Sequence, residues 1–166
     1  LKQIYTGKWI SSGSSKGGVA ALSHRRFYPE DVVATVAKVA PLCFSPEDSR
    51  FDYFMENTVG TQDCRDKLKD FQRQVLENKS GIIPLLNAYT QSSQFTFFLD
   101  PEMILEYAVL EYPVAFWQYH GVSCDEIPDS DASYSQMFDH LNTVNGLDLY
   151  SIEYMEYYEA VFYQAF

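Results

Sequence analysis

Gly13-x-Ser15-x-Gly17 is the one place in these 166 residues where residue type and spacing together point to covalent chemistry. A serine attacks a carbonyl only when its hydroxyl is lifted clear of the backbone and served by a base. A sharp turn from strand to helix does the lifting, and small residues two places either side let strand and helix pass closely. The dipole at the helix start favours a developing oxyanion, and the backbone N–H of the next residue, Lys16, supplies one donor. Ser11, Ser12 and Ser14 lack the flanking glycine pair. Strings this short also occur in structural turns and phosphate loops, so the surrounding elements decide.

Those elements are readable. Lys8–Ser11 ends a short strand, Ser12–Gly18 is a small-residue turn, and Val19–Tyr28 reads as a helix stopped by Pro29. Val32–Ala40 is a β-branched, apolar run closed by Pro41, the signature of a buried parallel strand. Strand, turn, helix and strand in that order make a right-handed crossover unit, the α/β class. This part spans residues 1–42, and residues 43–166 read as helical. Ser45-Pro46-Glu47-Asp48 has the residues of a helix start. Thr61 caps a helix whose Cys64, Leu68, Phe71 and Val75 form one apolar stripe, with Asp63 and Lys67 paired on its wet face. Asp100-Pro101-Glu102 opens a helix that Pro113 kinks or ends. Asp131 caps another through Met137, Phe138 and Leu141, stopped by Asn145-Gly146, and Ser151 opens a last one. Phe95–Leu99 is the one short strand of the second part.

Composition narrows the partners. The chain is 46% hydrophobic and 21% charged, that of a folded protein. A net charge of −11 makes nucleic acid an unfavourable partner. No apolar stretch approaches the roughly 18–20 residues of a membrane span. Residues 1–79 hold all 12 Lys and Arg, and residues 80–166 hold 13 acids and no basic residue. That half attracts cationic groups, or is simply a solvated acidic surface. Tyr154, Tyr157, Tyr158, Phe162, Tyr163 and Phe166 belong to an aromatic excess that can line a pocket but more simply builds a core. Cys43, Cys64 and Cys124 have no zinc or redox spacing, and no metal or cofactor is expected. No secretion signal opens the chain and its first residue is Leu, so it is expected to begin mid-protein.

Lys8–Gly18, followed by His24-Arg25-Arg26-Phe27-Tyr28-Pro29-Glu30-Asp31-Val32 and Val39-Ala40-Pro41, resembles the bacterial serine tripeptidyl aminopeptidases, relatives of prolyl carboxypeptidase and dipeptidyl peptidase two. The resemblance continues through Val59–Arg73, Phe116-Trp117-Gln118-Tyr119 and Cys124-Asp125-Glu126-Ile127-Pro128. It implies a fragment of an α/β-hydrolase, interrupted after the nucleophile by a helical lid. The activity implied is that of a serine exopeptidase taking short peptides from free N-termini through an acyl-enzyme. The family's serine falls on Ser15. Its Asp and His follow late core strands and fall on nothing here: no strand precedes Asp131, and His24, His120 and His140 read as packing or surface residues. The segment is therefore expected to be inactive alone, its sheet covered by the rest of the core or by another chain. In the lid, Asp125 and Glu126 are candidates to hold the substrate's α-ammonium, with Trp117 and Tyr119 as pocket walls; a solvated loop and core packing are the plainer alternatives. The resemblance also implies a secreted or periplasmic protein, with one disulfide joining Cys124 to Cys43 or Cys64. An esterase of the same fold, and a non-catalytic lid or binding domain with a vestigial serine, are the competing readings.

Overall fold

The computed structural model describes residues 3–119, 121 and 123–157. It divides into two units, residues up to Arg50 and residues from Phe51.

The first unit is strand β1 (Ile10–Ser14), helix α1 (Lys16–Phe27) and strand β2 (Ala34–Lys38). The strands are parallel, in a register running from Ile10 opposite Ala34 to Ser14 opposite Lys38. A hydroxyl pair, Ser11 Oγ to Thr35 Oγ1 at 2.9 Å, supports it across the ladder. The expected Ser12–Gly18 loop is absent. β1 pairs through Ser14 and α1 begins at Lys16, so one residue, Ser15, makes the whole turn. The helix start lies earlier than Val19 because Gly18 already packs on the far strand: a Cβ there would sit 2.9 Å from both the Ala40 Cβ and the Lys38 carbonyl oxygen. Arg25 donates to the carbonyls of Pro29 and Val32, pinning the return from α1 to β2. β2 is shorter than the apolar run and is not buried. Val36 is 46% exposed and Ile10 of β1 61%, because α1, which packs on both strands, can cover only one face of the pair.

The second unit is built on helices α3 (Gln62–Glu77), α4 (Lys79–Ser92), α5 (Pro101–Gln118) and α6 (Tyr134–Asn145). Helix α2 (Ser49–Asn57) precedes them, and α7 (Ile152–Tyr157) follows. α5 is apolar nearly all round and packs against α3, α4 and α6, so it supplies the core's axis. The stripe Cys64, Leu68, Phe71 and Val75 is buried against it, with Tyr112 and Leu141 fully enclosed. Thr61 and Asp100 cap α3 and α5 as their sequences require, and Gly146 ends α6 in the left-handed region.

Local expectations are corrected at several points. Asp48 rather than Ser45 stands at the start of α2, its carboxylate accepting the Arg50 N–H at 3.2 Å, while the Ser45 hydroxyl donates to the Glu47 carbonyl. Ser133, in a reciprocal box with Gln136, caps α6 in place of Asp131. Lys67 leaves Asp63 for Asp125, 3.7 Å away. Of the two outcomes expected at Pro113, ending does not occur: α5 runs on through it, and the proline's missing N–H leaves the Val109 carbonyl without its helical partner. Gln72 of α3 donates to that oxygen at 2.7 Å, and Asn145 of α6 to the Ala108 carbonyl at 2.9 Å. Of the strand expected at Phe95–Leu99 only one bridge forms, Phe97 with Ser151. Tyr158, Phe162, Tyr163, Phe166 and His120 lie outside the described residues. No helix among the described residues is long and apolar enough to cross a membrane.

Candidate active site

Ser15 is held by three backbone bonds. Its N–H donates to the Lys38 carbonyl at 3.0 Å, and its own carbonyl accepts the N–H groups of Gly18 and Val19 at 2.9 and 3.1 Å. The first anchors it to the end of β2 and the others start α1, so strand and helix meet at one residue. That junction forces φ 54°, ψ −126° on Ser15, outside the regions an L-residue adopts without strain. A serine before a helix ordinarily caps it. Here the twisted backbone turns the side chain away, and its hydroxyl makes no capping bond. Ser15 is thus an exposed serine in front of a helix N-terminus, strained and not spent on the helix.

The glycines divide their work differently from the sequence expectation. A Cβ on Gly13 would run into the backbone of Gly17, and one on Gly18 would meet β2, whereas one on Gly17 would meet nothing within 4 Å. Close passage depends on the residues two before and three after Ser15. Lys16 is the first residue of α1, where backbone N–H groups point out of the helix end.

No histidine of the described first unit serves Ser15. His24 lies nine residues on, a rise of about 13 Å along α1, and its Nε2 is 3.5 Å from an oxygen of Asp31. In the second unit His140 is structural. Its Nε2 lies 2.8 Å from the Tyr112 hydroxyl and its ring meets Phe71 edge-on. Burial lowers the His140 pKa, opposed by the nearby Glu126 charge, and burial raises that of Tyr112. Burial therefore favours the neutral imidazole, which shares one hydrogen bond with the Tyr112 hydroxyl.

The structure sorts the remaining candidates. Asp125 and Glu126 share an open cleft of about 540 Å³ with Asp129, Asp131, Asp139 and His140. Glu126 is engaged in its own turn, accepting the Ser123 N–H at 2.9 Å, whereas the Asp125 side chain is 93% exposed with Lys67 beside it. Trp117 is not in this cleft. It packs over Gly60 and lines a second cavity of about 230 Å³ with Leu68, Arg65 and Pro113. Tyr119 is 71% exposed. Asp129 and Asp139 were not singled out from sequence, and the only signal for them was the acid-rich half without a basic residue. A disulfide joins Cys64 to Cys124, Cα atoms 5.5 Å apart, tying the first turn of α3 to the Cys124–Glu126 turn that carries Asp125. Cys43 is free and exposed, which settles the pairing left open by the sequence.

The chain is 35% identical over 169 residues to a prolyl tri/tetrapeptidyl aminopeptidase of Streptomyces mobaraensis, covering 99% of this chain and 35% of that relative. It thus spans about a third of the relative's length. No solved structure matches it. A family model described as PS-10 peptidase S37 matches residues 1–166, and the chain belongs to that peptidase family.

Proposed function

We propose that Ser15 is the nucleophile of a serine exopeptidase that releases short peptides from free N-termini, and that β1, Ser15 and α1 form the nucleophile elbow of an α/β-hydrolase. The observation that carries this reading is the backbone of Ser15, a strained residue with an uncommitted hydroxyl between a strand and a helix. Ser15 Oγ attacks the peptide carbonyl and passes its proton to a histidine outside the described residues. The Lys16 N–H and the α1 dipole stabilise the oxyanion. The histidine then protonates the leaving amine, and water hydrolyses the acyl-enzyme. Without a base Ser15 is a weak nucleophile.

The helical unit acts as the lid, and Asp125 holds the substrate's α-ammonium, exchanging Lys67 for it. Mobility of exchange is favoured because the carboxylate is exposed and its present partner sits at 3.7 Å. The disulfide supports export to an oxidising compartment. The bare faces of β1 and β2 are covered by the rest of the core.

Two measurements on the full-length product test this. Ser15→Ala lowers kcat/KM on a tripeptide anilide by at least about 10⁴-fold; retained turnover rejects the nucleophile. Asp125→Asn raises KM for peptides with a free N-terminus and spares N-blocked ones, and equal effects on both reject the ammonium site.

A further inference from the structure

Among the described non-glycine residues, only Ser15 and Val39 have positive φ. They are lateral neighbours. Ser14 pairs with Lys38, and the Ser15 N–H donates to the Lys38 carbonyl, so Ser15 and Val39 are the next residue on each of two adjoining strands. Neighbouring strands lie about 4.8 Å apart, within a side chain's reach. Both residues stand at the carboxyl ends of parallel strands, where α/β sheets bind their ligands.

Val39 is the odder of the two. Its φ is 41°, and a β-branched side chain there clashes with its own backbone. The turn has a clear purpose, since it lays Ala40 against Gly18 of α1. Gly or Asn would make that turn with less strain. Nor does the isopropyl group pack within this unit, for Val39 is 82% exposed, the most exposed of the described large apolar residues. Within the described residues, neither backbone geometry nor packing explains a valine here. What remains is an apolar branched group offered beside the reactive hydroxyl, and strained residues of this kind cluster at binding sites.

Resting on the nucleophile reading above, we infer that Val39 is a specificity-determining residue: its side chain forms one wall of the subsite that takes the side chain of the residue whose carbonyl Ser15 attacks. The oxyanion donor at the start of α1 fixes the direction of the carbonyl oxygen. The acyl residue's own side chain then lies across the strand ends, towards β2. A wall of two methyl groups selects a compact, apolar, uncharged side chain.

The test is steady-state kinetics of the full-length product on tripeptide anilides that differ only in the residue before the scissile bond, with a fluorophosphonate probe run in parallel. Val39→Ala removes two methyl groups and raises KM for proline and valine substrates about 10-fold, leaving the glycine substrate within about 2-fold and kcat little changed. Val39→Gly gives the same change in ranking together with a raised unfolding midpoint, because it also releases the strained turn. Val33→Ala, at the other end of β2, leaves the ranking unchanged. A uniform loss on every substrate, or an unchanged ranking, overturns the inference while probe labelling of Ser15 leaves the peptidase reading standing. Absence of labelling in the unmutated protein overturns both.

Discussion

A serine before a helix is usually a cap, and Ser15 shows what happens when the junction is too short for it to be one. The ladder with β2 runs to Ser14 and the helix begins at Lys16, so the backbone of Ser15 has no freedom left to aim its hydroxyl at the helix amides. Gly13-x-Ser15-x-Gly17 made this residue legible, because the string names a serine in a narrow place. Its conformation was not legible, since φ depends on a strand pairing 24 residues away. Val39 was invisible for the same reason, an apolar residue inside an apolar run. His140 belongs to this scale too. Burial lowers its pKa below the unfolded value of about 6.5, so the unfolded chain takes up the proton first. Its contribution to stability is complete above about pH 6.5 and is lost as pH falls towards the folded value. His140→Gln is expected to flatten the fall in unfolding free energy between about pH 7 and pH 5. Denaturant titrations at stepped pH read this slope directly, and an unchanged slope contradicts the neutral, hydrogen-bonded imidazole.

Among the elements, sequence periodicity located the helices better than their ends. The stripe through Cys64, Leu68, Phe71 and Val75 was readable because α3 buries one face against α5. Ends went astray where two capping residues competed. Asp48 displaced Ser45, and Ser133 displaced Asp131, each winning because its side chain reaches an amide two or three residues on. At Pro113 the sequence could not show that the helix runs on, because the donor that replaces its N–H, Gln72, comes from another helix. The strand–Ser15–helix junction yields the sharpest prediction at this scale. Gly13→Ala places a methyl group against the Gly17 backbone and costs about 1–3 kcal/mol. Gly17→Ala meets open space inside a helix and stabilises by about 0.5–1 kcal/mol. Urea unfolding of the two variants checks the order, and a Gly17 variant no more stable than the Gly13 variant contradicts the packing described.

At the scale of the whole molecule, the sequence foretold an α/β piece followed by helices, and an acidic half, but not that Asp125, Glu126, Asp129, Asp131 and Asp139 of that half line one cleft. It foretold that the two strands would need cover from elsewhere, but the apolar run Val32–Ala40 read as buried, because such a run looks the same whether or not anything covers it. The disulfide closes a loop of 60 residues around α3, α4 and α5. Its removal by Cys64→Ser with Cys124→Ser is expected to lower stability by about 2–4 kcal/mol, whereas Cys43→Ser, at an exposed thiol, changes it by less than about 0.5 kcal/mol. Thermal unfolding of the three forms distinguishes these, and equal midpoints contradict the tie. The account as a whole turns on whether the Ser15 hydroxyl is chemically activated. The direct measurement is to react the full-length product with a fluorophosphonate, digest it and locate the adduct by mass. The expected result is a single phosphonylated residue, Ser15, with no adduct in Ser15→Ala; an adduct on any other serine, or none while peptide is still cleaved, contradicts it.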